Sequence, residues 1–595
     1  MVRQSSPSCS NRIDGKIIAV DCAGTGIEAP CAAWTRRRNK WAYHQPASEP
    51  SLPCSHSQWS SGAEQSRASE AESMGTMATS VEEIGAAVEL PALQRRLGEL
   101  RATFEGGRTR PLSWRQSQLR ALLRLLADKE EEAFRALHAD LGKHRAEAYR
   151  DEVGVLTKSA NAALREMGKW AAPEKVWAPL AAFPASAHVV PEPLGVVLIF
   201  SCWNFPLGLS LEPLIGAIAA GNAVALKPSE LAPATARFLE ENIGEYLDAT
   251  AVKVIQGGPA VGEQLMEHRW DKVLFTGCPR VARVVMAAAA KHLTPVALEL
   301  GGKCPCIFDA VAGRRNLQSS VNRVIFAKWS SCAGQACIAI DYVLVEERFA
   351  PTLVPTHAFV WWLCKILIRR SFSRVRFSWV VVKIKLLKST LKRFIADSDQ
   401  MARIVNARHF QRLSNLLKDP AVAASILHGG NLDAKNLSID PTILLNPPLD
   451  SAIMTEEIFG PLLPIITVKK IEDSIAFVRA RPKPLAVYAF TDSAPLKRRI
   501  VEETSSGSVT FNDAVVQFGI DSLPFGGVGQ SGFGQYHGKY SFEMFSHKKA
   551  VLRRGFLVEA MLRYPPWDEQ KIAMMRHLYR YDYVRFIFTF LGLWK

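Results

Sequence analysis

Between Gly195 and Leu300, the chain alternates short apolar runs with longer segments in which apolar residues recur at helical spacing. Short apolar runs bounded by polar residues are typical of strands that are buried on both faces of a parallel sheet. The expected order is strand 195–200, helix 207–220, strand 223–227, helix 232–247, strand 252–256, helix 261–267, strand 272–275, helix 279–292 and strand 296–300. This alternation predicts an α/β fold with a doubly wound sheet, an architecture that often binds nucleotides.

The sequence before this alternation has two parts of different character. From Leu93 to about Trp170, apolar residues recur at helical spacing among many Arg and Glu residues, which predicts a helical segment. Residues 1–80 mix Ser, Pro, Cys and Arg without a sustained apolar period, so we expect them to be disordered. An organelle transit peptide fits their acidic residues poorly, and the alternative is translated upstream sequence, for which Met74 or Met77 is the natural start.

Composition excludes several classes of protein. A chain of 595 residues, 48% of them hydrophobic, is long enough for two or more folded domains. Its eleven cysteines include no Cys-x-x-Cys pair, which argues against a disulfide scaffold and a zinc ribbon and favours a reducing compartment. No group of His, Cys, Asp and Glu has metal-ligand spacing, so we expect no metal. Seven of the sixteen net positive charges fall in residues 354–385, so the positive charge is unevenly spread along the chain. For this reason we expect no nucleic-acid partner.

Four short motifs carry the side chains that suit covalent chemistry. The motif at 332–337 contains a thiol that can act as a nucleophile, and the motif at 298–303 contains a carboxylate that can act as a base. A lone cysteine is more often a small buried apolar residue, so the catalytic interpretation of this thiol depends on the other motifs. In chain order the motifs are Ser-Cys-Trp-Asn-Phe-Pro at 201–206, Leu-Glu-Leu-Gly-Gly-Lys at 298–303, Cys-Ala-Gly-Gln-Ala-Cys at 332–337 and Glu-Glu-Ile-Phe-Gly-Pro at 456–461.

In this order the four motifs resemble those of the aldehyde dehydrogenase superfamily. The resemblance extends from about Pro91 to about Arg553. The Ser-Cys-Trp-Asn-Phe-Pro form, and the Asp-Tyr pair that follows the cysteine motif, look most like the class 3 branch of fatty and aromatic aldehyde dehydrogenases and its plant members. The resemblance implies an NAD-dependent enzyme that oxidises medium-chain, long-chain or aromatic aldehydes to carboxylic acids, with NADP as an alternative cofactor.

The resemblance also implies three catalytic roles. Cys337 is expected to form a thiohemiacetal and then a thioester with the substrate, and Asn204 is expected to stabilise the oxyanion together with the backbone amide of Cys337. Glu299 is expected to activate the water that hydrolyses the thioester, because burial raises the pKa of a carboxylate toward a range that suits a base. Cys332 is a rival thiol, but it stands where the family usually has Asn, and we expect it to be a packing residue.

Aldehyde dehydrogenases bind the dinucleotide on a variant Rossmann domain, and the corresponding domain of this chain likewise contains no Gly-x-Gly-x-x-Gly sequence. Lys227 and Glu230 are expected to hydrogen-bond the adenosine ribose. Thr276 and Gly277 are expected to approach the pyrophosphate at a helix N-terminus, although the next residue is Cys278 instead of the usual Ser. The other residues expected to bind the cofactor are Trp203, Gly301, Glu457 and Phe459.

The resemblance implies an aldehyde dehydrogenase fold, with a variant Rossmann cofactor domain, an α/β catalytic domain and a bridging strand region used in oligomerisation. A homodimer is implied as well. The expected division of the chain is 1–80 for a disordered leader or spurious upstream extension, 81–300 for the N-terminal helices and the NAD(P)-binding domain, 301–510 for the catalytic domain, 511–553 for the bridging segment and 554–595 for a C-terminal tail.

Two segments depart from the family pattern. Residues 354–385 alternate apolar and basic stretches, so they are either a retained intron or gene-model error, or a real surface or membrane-contact insertion. The apolar run Phe586–Trp594 is shorter than the roughly 20 residues of a membrane span, so the tail either packs on the fold or makes peripheral membrane contact. We expect a cytoplasmic protein, with the plastid or the surface of the endoplasmic reticulum membrane as alternatives.

Two other functions stay open. A catalytically silent product is expected if residues 354–385 prevent the domains from assembling. A thioester-forming acyltransferase or esterase would use the same cysteine without a nicotinamide cofactor, so dependence on NAD or NADP separates it from a dehydrogenase.

Overall fold

The computed structural model describes residues 11–13, 16–18, 89–179, 182–309, 316–347, 401–556, 559 and 561–594. Two compact units, Met1–Ala78 and Thr79–Lys595, make up the chain. In the first unit, strands β1 (Asn11–Ile13) and β2 (Lys16–Ile18) pair in antiparallel orientation. The rest of the segment that we predicted to be disordered, and all of the insertion predicted at 354–385, lie outside the described residues.

The second unit begins with a helical region, as the apolar spacing predicts. It consists of α1 (Leu90–Glu105), α2 (Leu112–Asp128), α3 (Glu130–Leu141), α4 (Arg145–Ala148), a π-helical turn (Tyr149–Val153) and α5 (Gly154–Trp170), followed by β3 (Glu174–Val176) and β4 (Ala185–Pro193). Helix α3 starts with Glu130, Glu131 and Glu132, which interact favourably with the positive end of the helix dipole. It ends at Gly142, whose left-handed backbone (φ 66°) is a common way to stop a helix.

The elements predicted from the alternating pattern form the core of a six-stranded sheet with its covering helices. They are β5 (Val196–Phe200), α6 (Gly208–Ala220), β6 (Ala223–Lys227), α7 (Pro233–Tyr246), β7 (Val252–Val254), α8 (Pro259–Met266), β8 (Lys272–Gly277), α9 (Pro279–Ala290) and β9 (Val296–Leu300), with β19 (Gly532–Phe533) at one edge. Every residue of β5 and β6 is buried, because helices cover both faces of such a sheet. Strand β8 extends to Gly277, two residues beyond the prediction, because Thr276 and Gly277 pair with β9.

The strand order in this sheet is β19-β9-β8-β5-β6-β7. The chain goes from β5 outward to β6 and β7, and then returns to the other side of β5 to form β8 and β9. These five strands are parallel, whereas β19 joins β9 in antiparallel orientation. The reversal between β5 and β8 creates a switch point, and ligands of such sheets bind there at the carboxyl ends of the strands.

A second sheet of seven strands carries the catalytic half of the chain. Its elements are β10 (Pro305–Phe308), α10 (Leu317–Trp329), β11 (Tyr342–Glu346), α11 (Ala407–Lys418), α12 (Pro420–Ala423), β12 (Ile426–His428), the short pair β13 (Leu432–Asp433) and β14 (Ser438–Ile439), β15 (Thr442–Leu445), α13 (Ala452–Thr455), β16 (Leu462–Val468), α14 (Asp473–Arg479), β17 (Ala486–Phe490), α15 (Ala494–Glu503) and β18 (Ser508–Phe511). The order is β12-β15-β16-β11-β10-β17-β18, and all neighbours except β12 and β15 are parallel. The predicted α/β class is confirmed.

A three-stranded antiparallel sheet joins β4 to the C-terminal part of the unit. Strand β20 (Ser546–Arg554) pairs with β4 along its whole length, and β3 pairs with the other edge of β4. The last helices are α16 (Gly538–Met544), α17 (Glu569–Tyr579) and α18 (Tyr583–Phe590). Within the described residues, no helix combines the length and the apolar character needed to cross a membrane.

Candidate active site

The first motif forms the turn between β5 and α6, at the switch point of the six-stranded sheet. Asn204 lies in this turn and is 1% exposed. Its Nδ2 donates a 2.9 Å hydrogen bond to the backbone oxygen of Gln335, which belongs to the cysteine motif. Its Oδ1 is buried without a partner among the described residues. Asn204, predicted as the oxyanion donor, is thus joined to the loop that carries the predicted nucleophile.

The cysteine motif is a tight loop with an unusual backbone. Cys332, Ala333 and Gly334 have positive φ angles of 49°, 51° and 77°. A Cβ atom on Gly334 would lie 2.5 Å from the backbone oxygen of Gly460, so only glycine fits at this position. The loop therefore packs directly on the Glu-Glu-Ile-Phe-Gly-Pro motif. Cys332 is fully buried, as expected for a packing residue.

Cys337 ends this loop and is partly buried. Burial, followed by the charges of Glu457, Cys304 and Glu299, raises the pKa of its thiol well above the ordinary value. The thiol is therefore protonated at neutral pH and needs a base before it can attack. Its backbone oxygen accepts a 3.3 Å hydrogen bond from the thiol of Cys304, which is a buried core residue.

Glu299 lies near the end of β9, in a buried position. The residue is 5% exposed, and both carboxylate oxygens are buried without a hydrogen bond from any described residue. Burial raises the pKa of this carboxyl well above its ordinary value. Buried polar groups without partners are rare, and each needs a physical explanation. A base that must accept a proton from a reacting group is such an explanation.

Glycine-rich backbone passes beside Glu299 from the C-terminal part of the chain. Strand β19 pairs with β9 so that Gly532 lies opposite Glu299. A Cβ atom on Gly526 would lie 3.2 Å from Oε1 of Glu299 and 2.1 Å from the backbone oxygen of Gly534. The absence of side chains allows these backbones to approach one another, so the glycines are structural.

Glu457 reaches the turn that follows β9. Its Oε1 accepts a 2.9 Å hydrogen bond from the amide of Gly302. Burial, and then the neighbouring Asp341, raise the pKa of Glu457 to about 8. A Cβ atom on Gly301 would lie 2.3 Å from both oxygens of Glu457, so these two residues of the predicted cofactor set lie together.

An ion pair that the sequence analysis missed fixes this arrangement. Lys303 pairs with Asp341 and donates 2.8 Å hydrogen bonds to the backbone oxygens of Ile453 and Glu456. Asp341 also accepts a 3.1 Å hydrogen bond from the amide of Ile458. The signal was present in the sequence, since Lys303 ends the second motif and Asp341 begins the Asp-Tyr pair.

Four other predicted cofactor residues lie at the ends of strands of the six-stranded sheet or within three residues after them. Lys227 ends β6, and its Nζ pairs with the carboxylate of Glu230 at 2.9 Å. Thr276 and Gly277 end β8, just before α9. No side chain that the structure describes caps the first turn of α9, so its backbone amides suit an anion such as a pyrophosphate. The arrangement fits a dinucleotide that lies across the switch point.

Trp203 and Phe459 are the last two residues of the predicted cofactor set, and they contact each other. Their ring centroids are 5.3 Å apart in an edge-to-face arrangement. Trp203 also packs on His409, at 5.1 Å between ring centroids. The first and fourth motifs therefore meet through their aromatic residues.

Three charged residues from the N-terminal helical region also reach the site, and the sequence analysis missed them. Lys143 donates a hydrogen bond to the backbone oxygen of Asn204, and Glu152 pairs with Lys143. Glu147 accepts a hydrogen bond from the amide of Cys332. Their sequence signal was weak, because charged residues of an amphipathic helix ordinarily face solvent.

The geometry defines an α/β enzyme in which a cysteine, a carboxyl and an amide lie near the switch point of a doubly wound sheet. Comparison with known proteins identifies its class. The model of the aldehyde dehydrogenase family matches residues 89–359 and 377–551. The chain therefore belongs to the aldehyde dehydrogenase family, and it is an aldehyde dehydrogenase. The unmatched residues 360–376 fall within the insertion predicted at 354–385.

Individual relatives point to family 3. The chain is 50% identical to aldehyde dehydrogenase family 3 member F1 of Arabidopsis thaliana over 505 residues, which cover 84% of this chain and 98% of the relative. It is 46% identical to the chloroplastic family 3 member I1 of the same plant over 501 residues, covering 84% and 85%. A solved structure, the substrate-bound state of Staphylococcus aureus AldH, has 37% identity and a TM-score of 0.74, covering 82% of this chain and 99% of its own. The predicted resemblance and fold are confirmed.

Proposed function

We propose that this aldehyde dehydrogenase oxidises medium-chain, long-chain or aromatic aldehydes to carboxylic acids through a thioester on Cys337. The observation that carries the proposal is the buried carboxyl of Glu299, which has no partner among the described residues. Its charge is one of the causes that raise the pKa of the Cys337 thiol, after burial and the charges of Glu457 and Cys304. A protonated thiol and an unpaired carboxyl suit a nucleophile and its base.

In the first step, the Cys337 thiol gives its proton to Glu299, and its sulfur attacks the carbonyl carbon of the aldehyde. The oxyanion accepts hydrogen bonds from the backbone amide of Cys337 and from the Nδ2 hydrogen of Asn204 that Gln335 does not bind. A bound nicotinamide supplies the acceptor for the hydride that leaves the thiohemiacetal carbon. Loss of this hydride leaves the thioester on Cys337.

In the second step, water hydrolyses the thioester. Glu299, after it has released the first proton to solvent, takes a proton from the water as the oxygen attacks the acyl carbon. The carbon–sulfur bond then breaks, the carboxylic acid leaves, and the sulfur of Cys337 regains a proton. The raised pKa of Glu299 suits this alternation between its acid and base forms.

We assign the cofactor to the residues predicted for it. Lys227 and Glu230 would hold the adenosine ribose, and the first turn of α9, after Thr276 and Gly277, would hold the pyrophosphate. The Glu230 carboxylate favours NAD, because it can accept a hydrogen bond from a ribose hydroxyl and would repel a 2′-phosphate. A lower KM for NADP than for NAD would overturn this preference. The nicotinamide end is assigned to Trp203, Gly301, Glu457 and Phe459.

Production of NADH from a panel of short, aromatic and long-chain aldehydes tests the proposed reaction. The full chain is compared with Cys337→Ala and with a variant that lacks residues 354–385. Activity that survives in Cys337→Ala would exclude this cysteine as the nucleophile. Activity only in the shortened variant would favour the alternative of a catalytically silent product. Product formation without NAD or NADP would favour an acyltransferase or esterase.

We also propose the five-part division of the chain given above, and a homodimer that uses the bridging segment 511–553. Light scattering tests the dimer, since a monomeric mass would exclude it. For localisation we propose the cytoplasm, with the plastid or the surface of the endoplasmic reticulum membrane as alternatives. Microscopy of a fluorescent fusion distinguishes these compartments.

For the tail we propose peripheral contact with an anionic membrane surface. Arg580 precedes α18, and Arg585 lies within its first turn, between Val584 and Phe586. A helix with an apolar face and cationic neighbours binds at the level of the lipid headgroups. Flotation with anionic vesicles is expected for the full chain and not for a variant lacking residues 576–595; equal behaviour of the two would favour packing on the fold. The exposed apolar residues of α18 and of the segment that follows it are Val584, Ile587, Phe588, Phe590, Leu591, Leu593 and Trp594.

A further inference from the structure

We propose that the segment from Lys143 to Glu152 is a positioning clamp, which fixes the position of the Asn204 turn relative to the cysteine loop. The proposal rests on the proposed function, in which Asn204 and Cys337 act on the same substrate oxygen. The clamp residues touch no reacting atom. They act through the two loops that they hold, and none of the four motifs contains them.

The centre of the clamp is a fully buried ion pair. The side chains of Lys143 and Glu152 are both 0% exposed, and Nζ of Lys143 lies 2.6 Å from Oε1 of Glu152. The same Nζ donates a 2.8 Å hydrogen bond to the backbone oxygen of Asn204 and lies 4.1 Å from the ring centroid of Phe205. The ammonium group therefore binds the backbone of Asn204, the residue that supplies the proposed oxyanion donor.

The second carboxylate oxygen of Glu152 binds the other end of the same turn. Its Oε2 accepts 2.9 Å hydrogen bonds from the amides of Leu207 and Gly208. Helix α6 begins at Gly208, so the carboxylate satisfies amides at the helix start and interacts favourably with the helix dipole. Residues 204–208 are thus held at both ends by one ion pair.

The same segment also holds the start of the cysteine loop. Oε1 of Glu147 accepts a 2.6 Å hydrogen bond from the amide of Cys332, and Oδ2 of Asp151 accepts a 2.9 Å hydrogen bond from the hydroxyl of Ser331. The thiol of Cys332 in turn donates a 3.3 Å hydrogen bond to the backbone oxygen of Asn204. Both loops therefore share one support.

A π-helical turn allows this double contact. Tyr149–Val153 has π-helical hydrogen bonding, which places one more residue in the turn than an α-helix does. As a result, Asp151 contacts the cysteine loop while the next residue, Glu152, contacts the start of α6. Turns of this kind are frequent at functional sites.

Energetics also favour a positioning role over a purely stabilising one. Buried ion pairs often contribute less to stability than apolar residues of similar volume, because both charges lose their hydration. A fully buried pair that binds three backbone groups of one turn is better explained by the geometry that it enforces.

A double-mutant cycle on kcat tests the clamp. Lys143→Met with Glu152→Gln removes both charges and keeps an oxygen that can accept from the α6 amides. We expect this variant to lose roughly 10- to 100-fold in kcat, less than the roughly 100- to 1000-fold loss of a whole oxyanion donor, while the KM for NAD changes less than about threefold. In an Asn204→Ala background the same change should lower kcat by less than about threefold, because the effects of residues that act through one group are not additive.

The control is Asp140→Asn. Asp140 is 6% exposed and accepts 2.9 and 2.8 Å hydrogen bonds from the amides of Ala234 and Thr235, so it caps α7 much as Glu152 caps α6. We expect it to lower Tm without a loss of kcat at saturating NAD. If the clamp variant fails to fold, Lys143→Arg, which keeps the charge but changes the donor geometry, replaces it in the same cycle.

Equal losses of kcat with and without Asn204 would overturn the clamp, as would an unchanged kcat in both backgrounds. In either case the full chain still oxidises aldehydes, so the proposed function survives. A full chain that oxidises no aldehyde would overturn the proposed function and the clamp together.

Discussion

The backbone of Gly301 passes so close to the carboxylate of Glu457 that a Cβ atom on Gly301 would lie 2.3 Å from both carboxylate oxygens. The next amide, of Gly302, donates a 2.9 Å hydrogen bond to the same carboxylate. Glycine at position 301 therefore determines where Glu457 lies, and we assign this side chain to the nicotinamide end of the cofactor.

Substitution of Gly301 should weaken cofactor binding. In Gly301→Ala the new Cβ displaces Glu457 and breaks its bond to Gly302, and a hydrogen bond between neutral groups contributes about 0.5–1.5 kcal/mol. We expect the KM for NAD to rise by up to roughly tenfold. Gly98→Ala is the control, because a Cβ atom there meets nothing within 4 Å and α1 gains a better helix former. An unchanged KM in Gly301→Ala would argue against the assignment of Glu457.

Loss of the Asn204 amide should slow catalysis without loss of cofactor binding. For Asn204→Ala we expect kcat to fall roughly 100- to 1000-fold, the usual effect of removing one oxyanion donor. Asn222→Ala is a matched control, because Asn222 is also fully buried and donates to the backbone oxygens of Ala217 and Phe545 at 3.1 and 3.0 Å. The control should lower Tm and keep kcat. A loss smaller than about tenfold in Asn204→Ala would exclude the oxyanion role.

The pH dependence of turnover should depend on Glu299. Only its ionised form can take a proton, and burial raises its pKa well above the ordinary value, so kcat of the unsubstituted enzyme should rise with pH at values well above those at which an exposed carboxyl ionises. Glu299→Gln should lower kcat roughly 100- to 10,000-fold and remove this rise. Binding of NAD, followed by fluorescence titration, should be unchanged and serves as the control for folding. A Gln variant with the same pH profile as the parent would show that another group is the base.

The sheet that contains the switch point could be predicted from the sequence because its strands are buried on both faces. Such strands form short apolar runs, and β6 and β9 lie at the predicted residues. The edge strand β19 could not be predicted in the same way. It has two residues and joins β9 through a pairing between Gly532 and Glu299, positions far apart in the chain, and no local pattern encodes such a contact.

Site residues could be proposed where chemistry and motif coincide, as for Cys337 and Glu299, and their roles stay predictions. The supporting residues were missed, because their role depends on contacts between distant segments. Lys143 and Glu152 belong to a region that the sequence indicates only as helical, and the π-helical turn that orients Glu152 has no sequence signature that we recognised. A charged residue shows its role only when burial and partners are known.

One buried carboxyl away from the proposed catalytic residues should make stability depend on pH. Glu212 lies on α6, is 3% exposed, and has an oxygen without a partner among the described residues. Burial raises its pKa from 4.5 to about 7, so between these values the folded state binds a proton that the unfolded state has lost. Stability therefore falls as pH rises through this window, and the full cost, on the order of 3 kcal/mol, applies above about pH 7. Glu212→Gln imitates the protonated form, so its Tm should exceed that of the parent at pH 8 by a few degrees and equal it near pH 4. Calorimetry at the two pH values measures this difference, and an equal Tm at pH 8 would mean that Glu212 ionises without cost in the folded protein.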